Sequence, residues 1–185
     1  QMLDTPTNNF CTWNPVYRDG YDNDSVYTEG NLAWATTGSG DGLGDGTIGV
    51  ASGKWYWEYY INTIAGDNGY FGAHQVSGHQ FTNHAYYCTD RGVINATGET
   101  QQTGVGAASA GDKISCALDM DATPATLKIY KNNSLLGTAI DLVAGVTYSP
   151  FTGTGNGVVK KFTLNCGQDS SFAGAATAGG NTDAN

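Results

Sequence analysis

Charge is what this sequence has least of. Asp, Glu, Lys and Arg together supply 14% of its 185 residues, and 8 basic residues against 17 acidic ones leave a formal net charge of −9. Lys160-Lys161 is the only adjacent basic pair, which leaves no electrostatic footprint for nucleic acid or an anionic membrane. Long apolar runs are also missing: none approaches the roughly 20 residues of a membrane span, and no signal-peptide pattern stands at the N-terminus. A first residue of Gln rather than Met points to processing or to a piece of something longer. No segment sustains helical periodicity over good helix formers. The four cysteines, Cys11, Cys88, Cys116 and Cys166, never come to CxxC spacing, so no zinc site is expected. They permit three disulfide pairings, among which the sequence does not choose. Cys116 and Cys166 lie in strand-like runs, as small buried hydrophobes do, and free thiols are expected ahead of disulfides.

What the chain has instead is glycine, at 27 positions, and aromatic rings, at 11% of residues. Few charges with many glycines and rings describe strands joined by turns, in one domain long enough to bury a core. The fold class is therefore all-β. Its clearest element is Gly53-Lys54-Trp55-Tyr56-Trp57-Glu58-Tyr59-Tyr60-Ile61, where rings and a β-branched end suit a pleated surface. Alternation assigns Trp55, Trp57, Tyr59 and Ile61 to the core. It assigns Lys54, Tyr56, Glu58 and Tyr60 to a face that stays wet or meets a partner. With Tyr56 and Tyr60 exposed together, that face is an aromatic platform for carbohydrate.

Residues 1–30 read as an extended arm and a surface loop, with Phe10 and Trp13 pinning the arm to the body. The Gly-rich run from Thr37 to Gly46 reads as a flexible turn. Its Asp41 and Asp45 lack the further oxygen ligands and terminal Glu of a calcium loop. A short strand over 47–50 leads into the aromatic strand, and residues 65–69 turn that strand onto Tyr70-Phe71-Gly72-Ala73 as a hairpin. His74, His79 and His84 stand five residues apart with no carboxylate between them, and read as polar loop histidines. A second hairpin turns at Asp90-Arg91. Ile114, Cys116 and Leu118, then Leu127 and Ile129, alternate inward, and Asn132-Asn133 closes a third hairpin. Two strands over 146–151 and 158–166 complete the set. The tail, 173–185, lacks the apolar bulk to offset its ordering entropy, so it is disordered or held by a neighbour. Asn23, Asn95 and Asn132 open glycosylation sequons in predicted turns.

Several of these stretches resemble the SPRY domain, the core of B30.2, and fall in its order. Ser52-Gly53-Lys54-Trp55-Tyr56-Trp57-Glu58 is similar to its opening motif. Gly111-Asp112-Lys113-Ile114 through Leu118-Asp119 is similar to its Gly-Asp-x-Ile-x-x-x-Leu-Asp strand. Leu127-Lys128-Ile129-Tyr130-Lys131-Asn132-Asn133 with Leu136-Gly137 resembles its "FYKNG…LG" hairpin. Tyr148-Ser149-Pro150-Phe151 and Thr163-Leu164-Asn165-Cys166-Gly167-Gln168 resemble the closing strands, with Cys166 in place of the usual Phe. The match spans 31–172. The flanks, Leu3 to Phe10 and Gln168 to Gly174, resemble SPRY-containing proteins of tailed phages and environmental viral sequences. Those proteins continue into a closing segment where this chain ends in polar residues at Asn185, which implies a truncated chain or a strand supplied by another copy.

The resemblance implies a two-sheet antiparallel sandwich of the concanavalin A-like type, and a recognition or assembly module without catalysis or cofactor. The residues agree. No Ser-His-Asp set, carboxylate pair or phosphate-cradling loop stands out. Two functions are expected. The first is a self-associating virion or extracellular fibre subunit, making homo-oligomers or filaments through Leu3, Phe10, Trp13 and Phe172. The second is a receptor- or glycan-binding module at a fibre tip, meeting a host surface protein or glycan through Tyr56, Tyr60, Tyr86 and Tyr87.

Overall fold

A computed structural model describes residues 9–16, 24–38, 40–66, 69–76, 83–155, 159–169, 171–172, 174 and 176. Among them no helix occurs. Twelve strands form: β1 (Ser25–Thr28), β2 (Ala33–Thr36), β3 (Gly42–Asp45), β4 (Lys54–Ile64), β5 (Gly69–Gln75), β6 (His84–Cys88), β7 (Val93–Ala96), β8 (Lys113–Asp119), β9 (Thr126–Lys131), β10 (Ser134–Asp141), β11 (Tyr148–Thr154) and β12 (Lys160–Asn165). Seven build one sheet in the order β1-β2-β12-β4-β8-β9-β10. Five build the other, β3-β11-β5-β6-β7. Every paired neighbour is antiparallel. The expected all-β sandwich is the structure.

The core lies between the sheets, and alternation fills it as expected along most strands. Trp57, Tyr59 and Ile61 of β4, Ile114, Cys116 and Leu118 of β8, and Leu127 and Ile129 of β9 enter from one side. Phe71, Ala73, Ala85, Tyr87 and Ile94 enter from the other. Tyr59 ties the layers together. Its hydroxyl accepts from Trp57 Nε1 at 2.6 Å and lies 2.9 Å from the carbonyls of both Gly72 and Phe151.

Three expected elements come out differently. The aromatic strand and Tyr70-Phe71-Gly72-Ala73 are not a hairpin: β4 pairs with β8 and β12, whereas β5 pairs with β11 and β6. The connection after Ile64 crosses from one sheet to the other, which a short Gly-containing turn does as readily as it reverses a strand in one sheet. The Gly-rich run is no plain turn either. It holds β3, an edge strand paired to β11. Gly42 and Gly44 leave its inner face without side chains, so that the Trp34 indole lies against its backbone. A Cβ on either glycine would stand 2.9–3.0 Å from that ring. The expected strand over 47–50 is reduced to a single bridge, Val50 to Tyr148. The hairpins at Asp90-Arg91 and at Asn132-Asn133 form as expected, the latter with φ of 48° and 68°, the left-handed pair that fits strand twist.

Candidate functional site

Trp55 is not a core residue. It is 46% exposed, and Tyr56 beside it 54%. At this end of β4 the facing sheet does not close over the strand, so the inner side of Trp55 meets a cleft instead of packed side chains. The local turn then fixes the ring. Gly53 adopts φ +85°, and the indole donates from Nε1 to Ser52 O at 2.7 Å. Gly53 is held in turn by Asp121 Oδ1 on its N–H at 2.7 Å and by the Met120 N–H on its carbonyl at 2.9 Å. A bonded indole on a short braced turn is a preorganised surface aromatic, and meets a ligand without first losing rotamer freedom.

Two concavities share this residue. Beneath it lies a cleft of about 90 Å³, walled by Phe10, Cys11, Val50, Tyr148, Pro150 and Cys166. Across the outer face of the seven-stranded sheet runs a groove of about 360 Å³, bordered by Lys54, Trp55, Tyr56, Asp119, Lys128 and Tyr130. Register explains the groove's composition: Lys54 faces Asp119 and Thr126 across the strands, and Tyr56 faces Ala117 and Lys128. Ala117 leaves the floor low between larger neighbours. Lys54 Nζ and Asp119 Oδ2 form an ion pair at 2.7 Å, which raises the ammonium pKa and lowers the carboxyl. Both groups are solvated, so the pair adds little stability. Asp119 Oδ1 also accepts from the Asp121 and Ala122 N–H groups, both at 3.1 Å, so Asp119 and Asp121 serve the turn after β8. Tyr56 donates to Glu58 Oε1 at 2.7 Å, and partial burial with that carboxylate pushes its phenol up to about 12.

The tyrosines expected to bind do not gather. Tyr56 and Tyr60 share the outer face of β4, but Tyr60 is half-buried with its ring 5.7 Å from Phe172, so no two-tyrosine platform is presented. Tyr86 and Tyr87 sit on β6 in the other sheet. Tyr86 is half-buried, 4.9 Å from the Tyr70 ring. Tyr87 points inward, is fully buried and donates to Gly106 O at 2.7 Å; it is a core residue, because strand alternation turns one of two adjacent tyrosines inside. Trp55, Lys128 and Tyr130 are what the sequence reading missed. The weak signal was that the first aromatic of the strand follows the turn directly, where the core has not yet begun.

Three of the four residues expected to mediate assembly pack within the chain. Trp13 is fully buried, stacked 6.0 Å from Tyr59, and Phe172 is 2% exposed. Phe10 is half-buried beside Gly167. Leu3, the tail over 177–185, His79 and Asn23 lie outside the described residues. Asn95 is held by Gln101 at 2.5 Å and Asn132 by Asp112 at 2.7 Å.

His74 is corrected most sharply. It lies on β5, 3% exposed, and its Nε2 meets Asp45 Oδ1 of β3, a carboxylate distant in sequence. Ser149 of β11 pairs directly with His74 in register, so the fold collects Ser, His and Asp on one sheet face where the sequence showed no such set. His74 Nδ1 has no hydrogen-bond partner among the described residues. All three side chains are under a tenth exposed. The His74–Asp45 pair is a buried polar contact. Among the described residues, no group of three His, Cys, Asp or Glu side chains converges as a metal site would.

A twelve-strand antiparallel sandwich with its open concavity at a strand end belongs to the concanavalin A-like architectures, and within them its fold is that of SPRY domains. Solved structures similar to it include the SPRY domain of human HERC1 (TM-score 0.67, 23% identity, over 78% of this chain and 94% of that one). A human SPRY domain (0.59, 16%, over 78% and 96%) and the PSpry domain of TRIM65 (0.61, 15%, over 85% and 92%) are also similar. No protein-family model and no curated protein matches the sequence. At these identities the likeness establishes the fold.

Proposed function

We propose that this chain is a non-catalytic recognition module that binds a partner protein at Trp55. The observation that carries the reading is the preorganised, exposed Trp55–Tyr56 pair standing between an apolar cleft and a charged groove. Binding hot spots are enriched in Trp and Tyr set against pockets. The cleft, at about 90 Å³, is smaller than the ~150 Å³ that holds a benzene ring, and suits an aliphatic side chain. Beside it, Lys128 is exposed on the groove wall and has no ion-pair partner among the described residues. The partner segment therefore carries an aliphatic anchor with a carboxylate nearby. SPRY domains mediate protein binding, which agrees. Of the four residues expected to mediate self-assembly, Trp13 and Phe172 pack within their own chain.

Selection from a displayed random-peptide library tests this. The wild-type chain is expected to enrich aliphatic–acidic segments, with affinity falling at least 10-fold in Trp55→Ala, as for a hot-spot residue, and 2- to 5-fold, roughly, in Lys128→Ala. Enrichment that survives Trp55→Ala, or binding on a glycan array with no peptide selected, overturns the reading.

A further inference from the structure

We propose that Cys11 and Cys166 form a redox clasp: on oxidation they join in a disulfide that staples the N-terminal arm to the end of β12. The two residues lie at opposite ends of the sequence, yet the fold sets them near enough for each thiol to shift the titration of the other. Both line the cleft under Trp55. A single carboxamide also ties their main chains: Gln168 Nε2 donates to Cys11 O at 3.2 Å, and its Oε1 accepts from the Cys166 N–H at 2.6 Å. That bracket is buried, with Gln168 8% exposed. It links the two backbones through one side chain before any bond forms, and a disulfide demands that they lie near each other. The arm is seated from both sides, since the Trp13 N–H donates to Asn31 O at 2.8 Å and the Thr47 N–H to Thr12 O at 2.8 Å. Cys11 Sγ lies where a Cβ on Gly46 would come within 2.7 Å, so a glycine there makes room for the sulfur.

The surroundings divide the roles of the four thiols. The neighbouring Cys166 thiol, with donors at Ile48 and Thr47, draws the Cys11 pKa down. The same neighbour and burial raise the pKa of Cys166. Cys11 is thus the attacking sulfur and Cys166 the resolving one. The other two thiols do not compete. Cys116 is fully buried in the core, and Cys88 donates to Asp90 Oδ1 at 3.0 Å. Burial pushes both upward, and they sit on strands of different sheets.

The oxidant required is a small disulfide such as oxidised glutathione. The Cys11 thiolate attacks one of its sulfurs, forming a mixed disulfide and releasing one glutathione thiolate. Cys166 loses its proton to solvent and attacks the Cys11 sulfur, releasing the second glutathione. Two protein thiols are oxidised to one disulfide while one oxidised glutathione is reduced to two thiols. The closed loop spans roughly 150 residues, a length at which the unfolded chain loses much of its freedom.

The test is incubation of the whole chain in a glutathione redox buffer, followed by maleimide labelling under denaturing conditions, non-reducing peptide mapping and thermal denaturation. One disulfide, Cys11–Cys166, is expected, with Cys88 and Cys116 labelled and the Tm raised on the order of 10 °C over the reduced chain. Cys11→Ser and Cys166→Ser should each abolish the oxidant-dependent rise. Peptide mapping of the wild-type chain decides the pairing even if a variant folds poorly. Four labelled thiols, a bridge involving any other cysteine, a bridge between chains, or a Cys11–Cys166 bridge without a rise in Tm overturns the proposal.

Discussion

Tyr59 puts one hydroxyl where both sheets present polar backbone to an otherwise apolar interior. It satisfies Trp57 Nε1 from its own strand and the Phe151 N–H, at 3.2 Å, from the opposite sheet. Tyr59→Phe keeps the ring and strands those donors, and leaving a buried donor unpaired costs about 1–3 kcal/mol. Thermal denaturation followed by circular dichroism should show Tm lower by roughly 2–12 °C, at about 2–4 °C per kcal/mol for a chain of this size. An unchanged Tm would refute the bridging role. Inward placement of Tyr59 was legible from alternation alone. Its hydroxyl's partners were not, because Gly72 and Phe151 reach it only once a second sheet is laid on the first. Trp55 is the converse: the same alternation assigned it to the core, and the cleft left it outside.

Among the strands, β3 shows how a composition can be misread. Glycine at every second position, Gly42 and Gly44, looks like a loop, yet it is a strand whose inner face is emptied for Trp34. That indole donates to Ser25 Oγ at 2.8 Å and lies 3.2 Å from Leu43 O, so it has little room to move. Gly42→Ala would bring a Cβ to 2.5 Å from Thr36 and 2.9 Å from the ring. Overpacking of this kind costs about 1–3 kcal/mol, and chemical denaturation should show the midpoint falling with the slope unchanged. A midpoint equal to wild type would mean that β3 is loosely held. The free edge at β10 is also managed within the element. Its register slips between Leu136 and Ile140, and Gln102 occupies the backbone of Thr138, taking its N–H at 2.8 Å. A bulged, capped edge is a poor template for strand addition.

Taken as a whole, the molecule keeps many weak acids neutral by folding. Burial pushes the Cys88 thiol up to about 12, and raises Cys116 and the phenols of Tyr59, Tyr70 and Tyr87 well above their ordinary values. Each folded pKa lies above the unfolded one, so the folded chain holds protons that the unfolded chain gives up. Stability is then complete below the ordinary values, 9.0 for the thiols and 10.0 for the phenols, and declines as pH rises past them. A Tm series is expected to begin falling near pH 9 and to steepen beyond pH 10. A flat profile to pH 11 would contradict it. The fold also redistributes charge. Lys54, Lys113, Lys128, Lys131, Lys160 and Lys161 all fall on the seven-stranded sheet, although Lys160 is buried against the Thr154 hydroxyl. Register sets Lys54, Lys113 and Lys128 on the face that carries the groove, whereas Lys131 lies opposite the core residue Ile114.

The all-β class, the inward residues of β8 and β9, all but Trp55 of those assigned on β4, and two hairpins could be read from order and alternation, because strand periodicity and turn chemistry are local properties. Which strands share a sheet, which carboxylate meets His74, that Cys11 meets Cys166 and that Trp55 faces a cleft were decided only by tertiary structure. Each depends on residues distant in sequence, brought together by the packing of two sheets, and no local pattern records where that packing stops.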